Sequence, residues 1–357
     1  MSTATAPDAV IRATGISVDY QGEADTHAVR DVSLELMRGE ILGIAGESGC
    51  GKSTLAYALT RLLQAPAALV GGSLEYRPAD GPPVDVLALD PAELRAFRWS
   101  EIAMVFQGAM NSLNPVTRLR KQFDDIFEAH RPDMDRAARL ARARELLDTV
   151  GIDPDRVMSY AHELSGGMRQ RVGIAMALAL DPHVIIMDEP TTALDVVVQR
   201  EIIDEIKRLQ AQLGLSIVFI THDLSLLLEL SDRIAIMYAG EIVEIGTTDE
   251  IGQWPAHPYT SALLHSFPEL EAENPDLMGI PGSPPDLRRP PAGCPFAARC
   301  PYVFDACRTI DPPLQTPRHR PASDGWLVAC HLHDPELAPD GPPEALRDGL
   351  APAAVAR

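Results

Sequence analysis

Residues 46–53 read Gly46-Glu47-Ser48-Gly49-Cys50-Gly51-Lys52-Ser53, the spacing G-x-x-x-x-G-K-[ST]. The glycines let the backbone curl until its N–H groups face phosphate oxygens. Lys52 can then reach the β- and γ-phosphates of a nucleotide, and the Ser53 hydroxyl can ligate Mg²⁺. A chance glycine turn has the same letters; the flanking elements separate the two readings. A second constellation ends the apolar run Val184-Ile185-Ile186-Met187 with Asp188 and Glu189. Asp188 suits Mg²⁺, directly or through water. Glu189 suits orienting and deprotonating an attacking water. Alone, this would more often be an acidic strand-to-loop turn. With a phosphate loop in the same chain, the pair points to nucleoside triphosphate hydrolysis.

Such residues need strands and helices to hold them. Ile41 to Ala45 is a short apolar run that leads into the glycine loop, and Ser53 to Leu63 has helical spacing. Strand, loop, helix is the context in which this motif binds phosphate, with the positive helix end behind the loop. Strands are also expected at Val10–Tyr20, Ala28–Leu36, Ile102–Phe106, Val184–Met187, Ile217–Thr221 and Ile234–Tyr238, and helical spacing at Val116–Val150, Gly167–Leu180 and Gln199–Leu213. Residues 65–90 read as loops around a strand. Alternation of strands and helices predicts an α/β fold with a largely parallel sheet. From about Trp254 proline becomes dense, which places a boundary near residue 250, and the Pro- and Ala-rich stretch after His333 is expected to be disordered.

Leu164-Ser165-Gly166-Gly167-Met168-Arg169-Gln170-Arg171 is a polar, glycine-containing turn at a helix start, suited to phosphate. Ser165 is equally suited to cap that helix. Here the chain resembles the ABC ATPases, whose signature is LSGGQ-like, with Met168 where Gln is usual. The resemblance implies a P-loop ABC-type nucleotide-binding domain at 8–250 with a helical subdomain at about 108–180. It implies that ATP and Mg²⁺ are held by Tyr20, which stacks on adenine, by residues 46–53 with Thr54, and by Ser53, Gln107 and Asp188 around the metal. Glu189, His222 and Gln107 become the catalytic set. Alone, His222 would read as a structural histidine and Tyr20 as a strand-face aromatic; their order relative to the other motifs favours the family roles. Leu164 to Met168 would act in trans across a dimer, and Ala193-Leu194-Asp195 would form the loop between subunits. One motor domain per chain implies a second, identical or homologous, ATPase subunit.

The stretches His257-Pro-Tyr-Thr-Ser-Ala-Leu-Leu, Ile280-Pro-Gly-Ser-Pro-Pro-Asp-Leu and Gly293-Cys-Pro-Phe-Ala-Ala-Arg-Cys-Pro are similar to those of peptide- and nickel-importer ATPases. So is Met110-Asn-Ser-Leu-Asn-Pro after Gln107, although Gly108-Ala109 stands where that group often has Asp-Pro. This likeness implies a small proline-rich domain at 251–333, and, as partners, two transmembrane permease subunits and an extracytoplasmic substrate-binding protein. Cys294, Cys300, Cys307 and Cys330 are spaced C-x5-C-x6-C-x22-C. Four thiolates could ligate a [4Fe–4S] cluster or tetrahedral zinc, with His331 as an alternate ligand; structural thiols are the plain alternative. The family resemblance favours iron–sulfur, in a structural role. Cys50, inside the phosphate loop, reads as a tolerated variable position before a redox-sensitive thiol.

A net charge of -20 on 357 residues argues against nucleic acid as the main partner. Lysines occur only at 52, 121 and 207, which makes Lys52 conspicuous. No run of eighteen apolar residues is present, and Met1 to Val10 lacks a basic start before an apolar run, so neither a membrane span nor a secretory signal is expected. The expectation is a peripheral ATPase on the cytoplasmic face of a bacterial inner membrane that drives import of peptides or a related small solute. The competing reading is a soluble ABC ATPase acting on ribosomes or DNA. Those usually carry two motor domains or long insertions.

Overall fold

The computed structural model describes residues 9–108, 113–192, 194–266, 279–318, 323 and 325–349. In chain order the strands are β1 (Ala9–Tyr20), β2 (Thr26–Met37), β3 (Ile41–Ala45), β4 (Ala67–Tyr76), β5 (Val84–Asp85), β6 (Ile102–Val105), β7 (Val184–Asp188), β8 (Ser216–Ile220), β9 (Arg233–Tyr238), β10 (Glu241–Thr247) and β11 (Leu327–Val328). The chain divides into two compact units. One contains Met1–Ile11, Glu35–Glu40 and Glu75–Ile220, and the other Arg12–Leu34, Ile41–Leu74 and Thr221–Arg357.

In the first unit β6, β7 and β8 run parallel, with Ile102 opposite Val184 and Asp188 opposite Ile220. All five residues of β7 are buried, as a parallel strand covered on both faces requires. The helical stretch expected over Val116–Val150 is two helices, Leu119–His130 and Arg136–Thr149. Pro132 cannot continue the first, and the Asp135 carboxylate accepts from the amides of Ala137 and Ala138, both at 2.8 Å, to start the second. Pro91–Ser100 is a helix absent from the sequence reading, opened by a capping box of Asp90 and Glu93. Val196–Leu213 starts on the Asp195 side chain and ends on Gly214 at φ 66°, a left-handed turn that glycine allows.

In the second unit β3 pairs parallel with β9, and β9 pairs antiparallel with β10. β10 then pairs antiparallel with β11, Glu244 opposite Val328 and Ile245 opposite Leu327. The C-terminal region is anchored by one buried carboxylate. Glu244 is fully buried and accepts from the amides of Ala256 at 2.8 Å and His257 at 2.9 Å and from the Trp326 indole N–H at 3.1 Å. Around this anchor Ala256, Trp326, Val328, Cys330, Leu332 and Leu346 form an apolar core. Part of the stretch after His333, for which disorder is expected, lies in this core. Leu346, on the short helix Glu344–Arg347, is 6% exposed and gives the polar tail a hydrophobic hold. Residues 350–357 lie outside the described residues. Among the described residues no helix is long and apolar enough to cross a membrane.

Candidate functional site

Each unit carries part of the chemistry. In the second, the phosphate loop leaves β3 and enters the helix Lys52–Leu59, which starts one residue before the helix expected over Ser53–Leu63 and ends four residues short of it. Gly46, Gly49 and Gly51 all have positive φ, at 152°, 80° and 105°. Two of them are also required by space. A Cβ on Gly46 would lie 2.2 Å from the Met237 carbonyl oxygen, and one on Gly51 2.2 Å from that of Ala28. The Lys52 ammonium donates to the carbonyls of Gly46 at 2.7 Å and Glu47 at 3.0 Å, so the loop is closed around its own cation. Tyr20 is 36% exposed, with its hydroxyl 3.2 Å from Thr54 Oγ1. Ser48 and Gly49 are exposed at the loop tip, and Ser53 is half-buried.

Cys50 lies 5% exposed behind this loop, 3.8 Å from Lys52 Nζ. Burial raises its thiol above the ordinary range, against the opposing pull of Lys52. A buried neutral thiol is a poor nucleophile, which favours the tolerated-position reading. His222 is exposed, two residues past β8.

In the first unit β7 delivers the two acids. Asp188 is fully buried as its last residue, and Glu189 turns away at φ 45° with its amide donating to the Ile220 carbonyl at 2.9 Å. Gln107 Nε2 donates to Glu189 Oε2 at 2.9 Å, and the Thr192 hydroxyl donates to the same oxygen at 2.9 Å. The structure therefore brings Gln107 and Glu189 together and adds Thr192, which has no motif of its own in the sequence. Ser165 caps the helix Gly166–Ala177 through the Met168 amide at 3.2 Å. Leu164 is buried, and Ser165 is exposed at the helix start with half-buried Gly166 and Gly167 beside it. A Cβ on Gly167 would lie 2.6 Å from Val198 Cγ1, so a side chain there would require Val198 to shift. Asp195 is exposed, Leu194 is half-buried, and Ala193 lies outside the described residues, as do Ala109 to Ser112 after Gln107.

Cys294, Cys300, Cys307 and Cys330 line one small cavity together with His257 and His331. All four are free thiols. Backbone amides of Phe296, Tyr302 and Leu332 hydrogen-bond the sulfurs of Cys294, Cys300 and Cys330. Burial pushes the Cys294 thiol up to about 12 and that of Cys300 up to about 11. The His331 Nε2 faces the Ile310 carbonyl at 2.8 Å. Among the described residues no group of three or more His, Cys, Asp or Glu is arranged to hold a metal ion.

Two residues outside the expected set reach the phosphate loop within the second unit. The Tyr259 hydroxyl accepts from the Glu47 amide at 2.9 Å, and Arg299 grips the Glu47 carboxylate with both terminal nitrogens, at 2.7 and 2.9 Å. Both lie in the C-terminal stretches singled out in the sequence, but nothing there signals contact with residue 47.

The sequence pattern of the family described as ABC transporter matches residues 29–192, and that of the oligopeptide/dipeptide transporter C-terminal region matches residues 243–307. The dipeptide transport ATP-binding protein DppD of Bacillus subtilis is 43% identical over 86% of this chain and 89% of its own length. The oligopeptide transport ATP-binding protein OppD of the same organism is 44% identical over 92% of this chain and 89% of its own length. Among solved structures, a dimeric post-hydrolysis ATP-binding cassette bound to ADP and Pi superposes with a TM-score of 0.58 at 28% identity, covering 67% of this chain and 98% of that one.

Proposed function

The chain belongs to the ABC transporter family, among its oligopeptide and dipeptide transport ATP-binding subunits, and from that membership we propose that it powers import of peptides or a related small solute. It is an ATPase with an ABC-type nucleotide-binding domain. The observation that carries the catalytic reading is the carboxylate of Glu189, oriented at one oxygen by Gln107 and Thr192.

In this reading residues 46–54 and Tyr20 hold the nucleotide, with Lys52 at its terminal phosphates. Ser53, Gln107 and Asp188 would hold Mg²⁺, which when bound neutralises charge building on the phosphate oxygens. Glu189 takes the proton of the attacking water, and His222 faces the γ-phosphate. Leu164 to Met168 act on ATP held by a second ATPase subunit, with the loop Ala193-Leu194-Asp195 between the two. Most of the catalysis is positioning and charge stabilisation. The motor extends over 8–250 with a helical subdomain at about 108–180. Its partners are two permease subunits and, through the assembled transporter, a substrate-binding protein, with the chain peripheral on the cytoplasmic face of the inner membrane.

The finer part of the reading concerns the small domain at 251–333. From the family resemblance its four cysteines would hold a [4Fe–4S] cluster in a structural role, although as placed in this structure they form no group arranged to hold a metal ion. What supports this is the donor set: four free thiols around one cavity, three of them already receiving a backbone amide. Amide donation stabilises bound thiolate sulfur. Iron and acid-labile sulfide in anaerobically purified protein, both lost in Cys300→Ser, are the expected result; protein free of both rules the cluster out.

The transport reading is tested by purifying tagged Glu189→Gln from solubilised membranes with ATP and identifying its partners by mass spectrometry. Two permeases, a second ATPase and a peptide-type binding protein are expected. Ribosomal or DNA-repair proteins without a permease would sink it.

A further inference from the structure

Glu47, the second residue of the phosphate loop, is held at three separate groups. Its carbonyl accepts from Lys52 Nζ at 3.0 Å, its amide donates to the Tyr259 hydroxyl at 2.9 Å, and its carboxylate takes the Arg299 fork. The Arg299 side chain is 4% exposed and that of Glu47 25%, so the pair is largely withdrawn from water. The guanidinium is spent in full. Nε donates to the Pro281 carbonyl at 2.9 Å, Nη2 to that of Ile280 at 3.0 Å and Nη1 to the Tyr238 hydroxyl at 3.2 Å. It also lies over the Tyr238 and Phe296 rings, 5.7 and 5.9 Å from their centroids. A planar fork fixed on every side sets the position of the carboxylate it binds.

Arg299 is also part of the cysteine shell. It precedes Cys300, and its amide donates to the Phe296 carbonyl at 2.9 Å in the turn that starts at Cys294. The Cys294 amide in turn donates to the Cys307 carbonyl at 2.9 Å. The backbone that places the sulfurs therefore also places the guanidinium. Any rearrangement of Cys294 to Cys300 moves the group that holds Glu47, and with it the carbonyl that Lys52 uses.

We propose that Arg299 is a positioning residue of the phosphate loop, through which the integrity of the four-cysteine shell sets nucleotide affinity. The proposal rests on the nucleotide-site reading above. A phosphate loop held in its binding conformation before nucleotide arrives pays less ordering cost on binding. Releasing Glu47 loses that advantage.

The test is equilibrium binding of a non-hydrolysable ATP analogue to the full chain, for wild type, Arg299→Gln, Glu47→Gln, the double variant, and Cys300→Ser in wild-type and Arg299→Gln backgrounds. Arg299→Gln and Glu47→Gln are each expected to weaken binding about tenfold or more. The double variant should be no weaker than either single one, and Cys300→Ser should weaken binding in the wild type and add little to Arg299→Gln. KM for ATP should rise more than kcat falls, a split that general destabilisation does not produce. Wild-type affinity in Glu47→Gln overturns the proposal, even if Arg299→Gln fails to fold. So do fully additive effects of Cys300→Ser and Arg299→Gln. A wild-type chain that binds no analogue overturns the nucleotide-site reading itself, and this proposal with it.

Discussion

Gln107 and Thr192 converge on one oxygen of Glu189, each at 2.9 Å. A general base must be aimed as well as basic, and these two donors aim it. Glu189→Gln should bind ATP and hydrolyse it about 10²–10⁴-fold more slowly. Gln107→Ala leaves Thr192 as the remaining donor of that pair and should lower kcat by up to about 10²-fold. Phosphate release under saturating ATP measures both. Near-normal turnover in Glu189→Gln would falsify the assignment of the base.

Gly46→Ala should abolish nucleotide binding as completely as Lys52→Ala, for a different reason. Its Cβ would meet the Met237 carbonyl oxygen at 2.2 Å, at a φ of 152° that side chains rarely adopt. The loop must then move off β9. Calorimetric titration with ATP should detect no binding in either variant; retained affinity in Gly46→Ala shows that the loop can bind phosphate in another shape.

Glu244→Ala should destabilise the C-terminal region by about 3 kcal/mol or more, because it strands two buried amides and an indole N–H. The Trp326 indole donates to this carboxylate at 3.1 Å, so tryptophan fluorescence during denaturation reports the loss directly. An unchanged transition means that water takes the place of the carboxylate.

Glu241 gives the fold a pH dependence. It pairs with Arg30 at 2.6 Å, yet burial, with Asp311 adding to it, pushes its carboxyl from 4.5 up to about 7. Between those values the folded chain keeps a proton that the unfolded chain has released. This group's contribution is therefore favourable below about pH 4.5 and is lost as pH rises to 7, an effect on the order of 3 kcal/mol. Glu241→Gln should melt higher than the wild type at pH 8 and show a shallower decline from pH 5 to 8. Parallel melting curves for the two proteins would remove Glu241 as the cause.

The motor was legible because its chemistry is local. Gly46 to Ser53 needs only a strand before it and a helix after it, and both are written in the adjacent residues. Asp188 and Glu189 end a run too apolar to be anything but a buried strand. What the sequence did not disclose is carried by side chains. Thr192 lies three residues from Glu189, but its hydroxyl has no pattern that marks it as a donor to the base. Arg299 meets Glu47 across 252 positions of sequence, a partnership that spacing cannot encode. The break at Pro132 and the anchor at Leu346 were readable in principle. The first was overridden by a long helical period, and the second was masked by the polar composition around it.

The pairing of β11 with β10 brings Leu327 and Val328 back to the sheet. Leu327 and Val328 cover Ile245 and Glu244, and the Ala329 amide takes the Val243 carbonyl at 2.8 Å. Without them β10 would present an outer row of unsatisfied amides and carbonyls, the template on which other chains stack. Synthesis reaches β10 some eighty residues before it reaches β11, so each nascent chain passes through a period with that row uncovered. β11 is in effect a seal against self-association, and a message truncated before codon 327 should yield insoluble protein even though every residue of the motor is present.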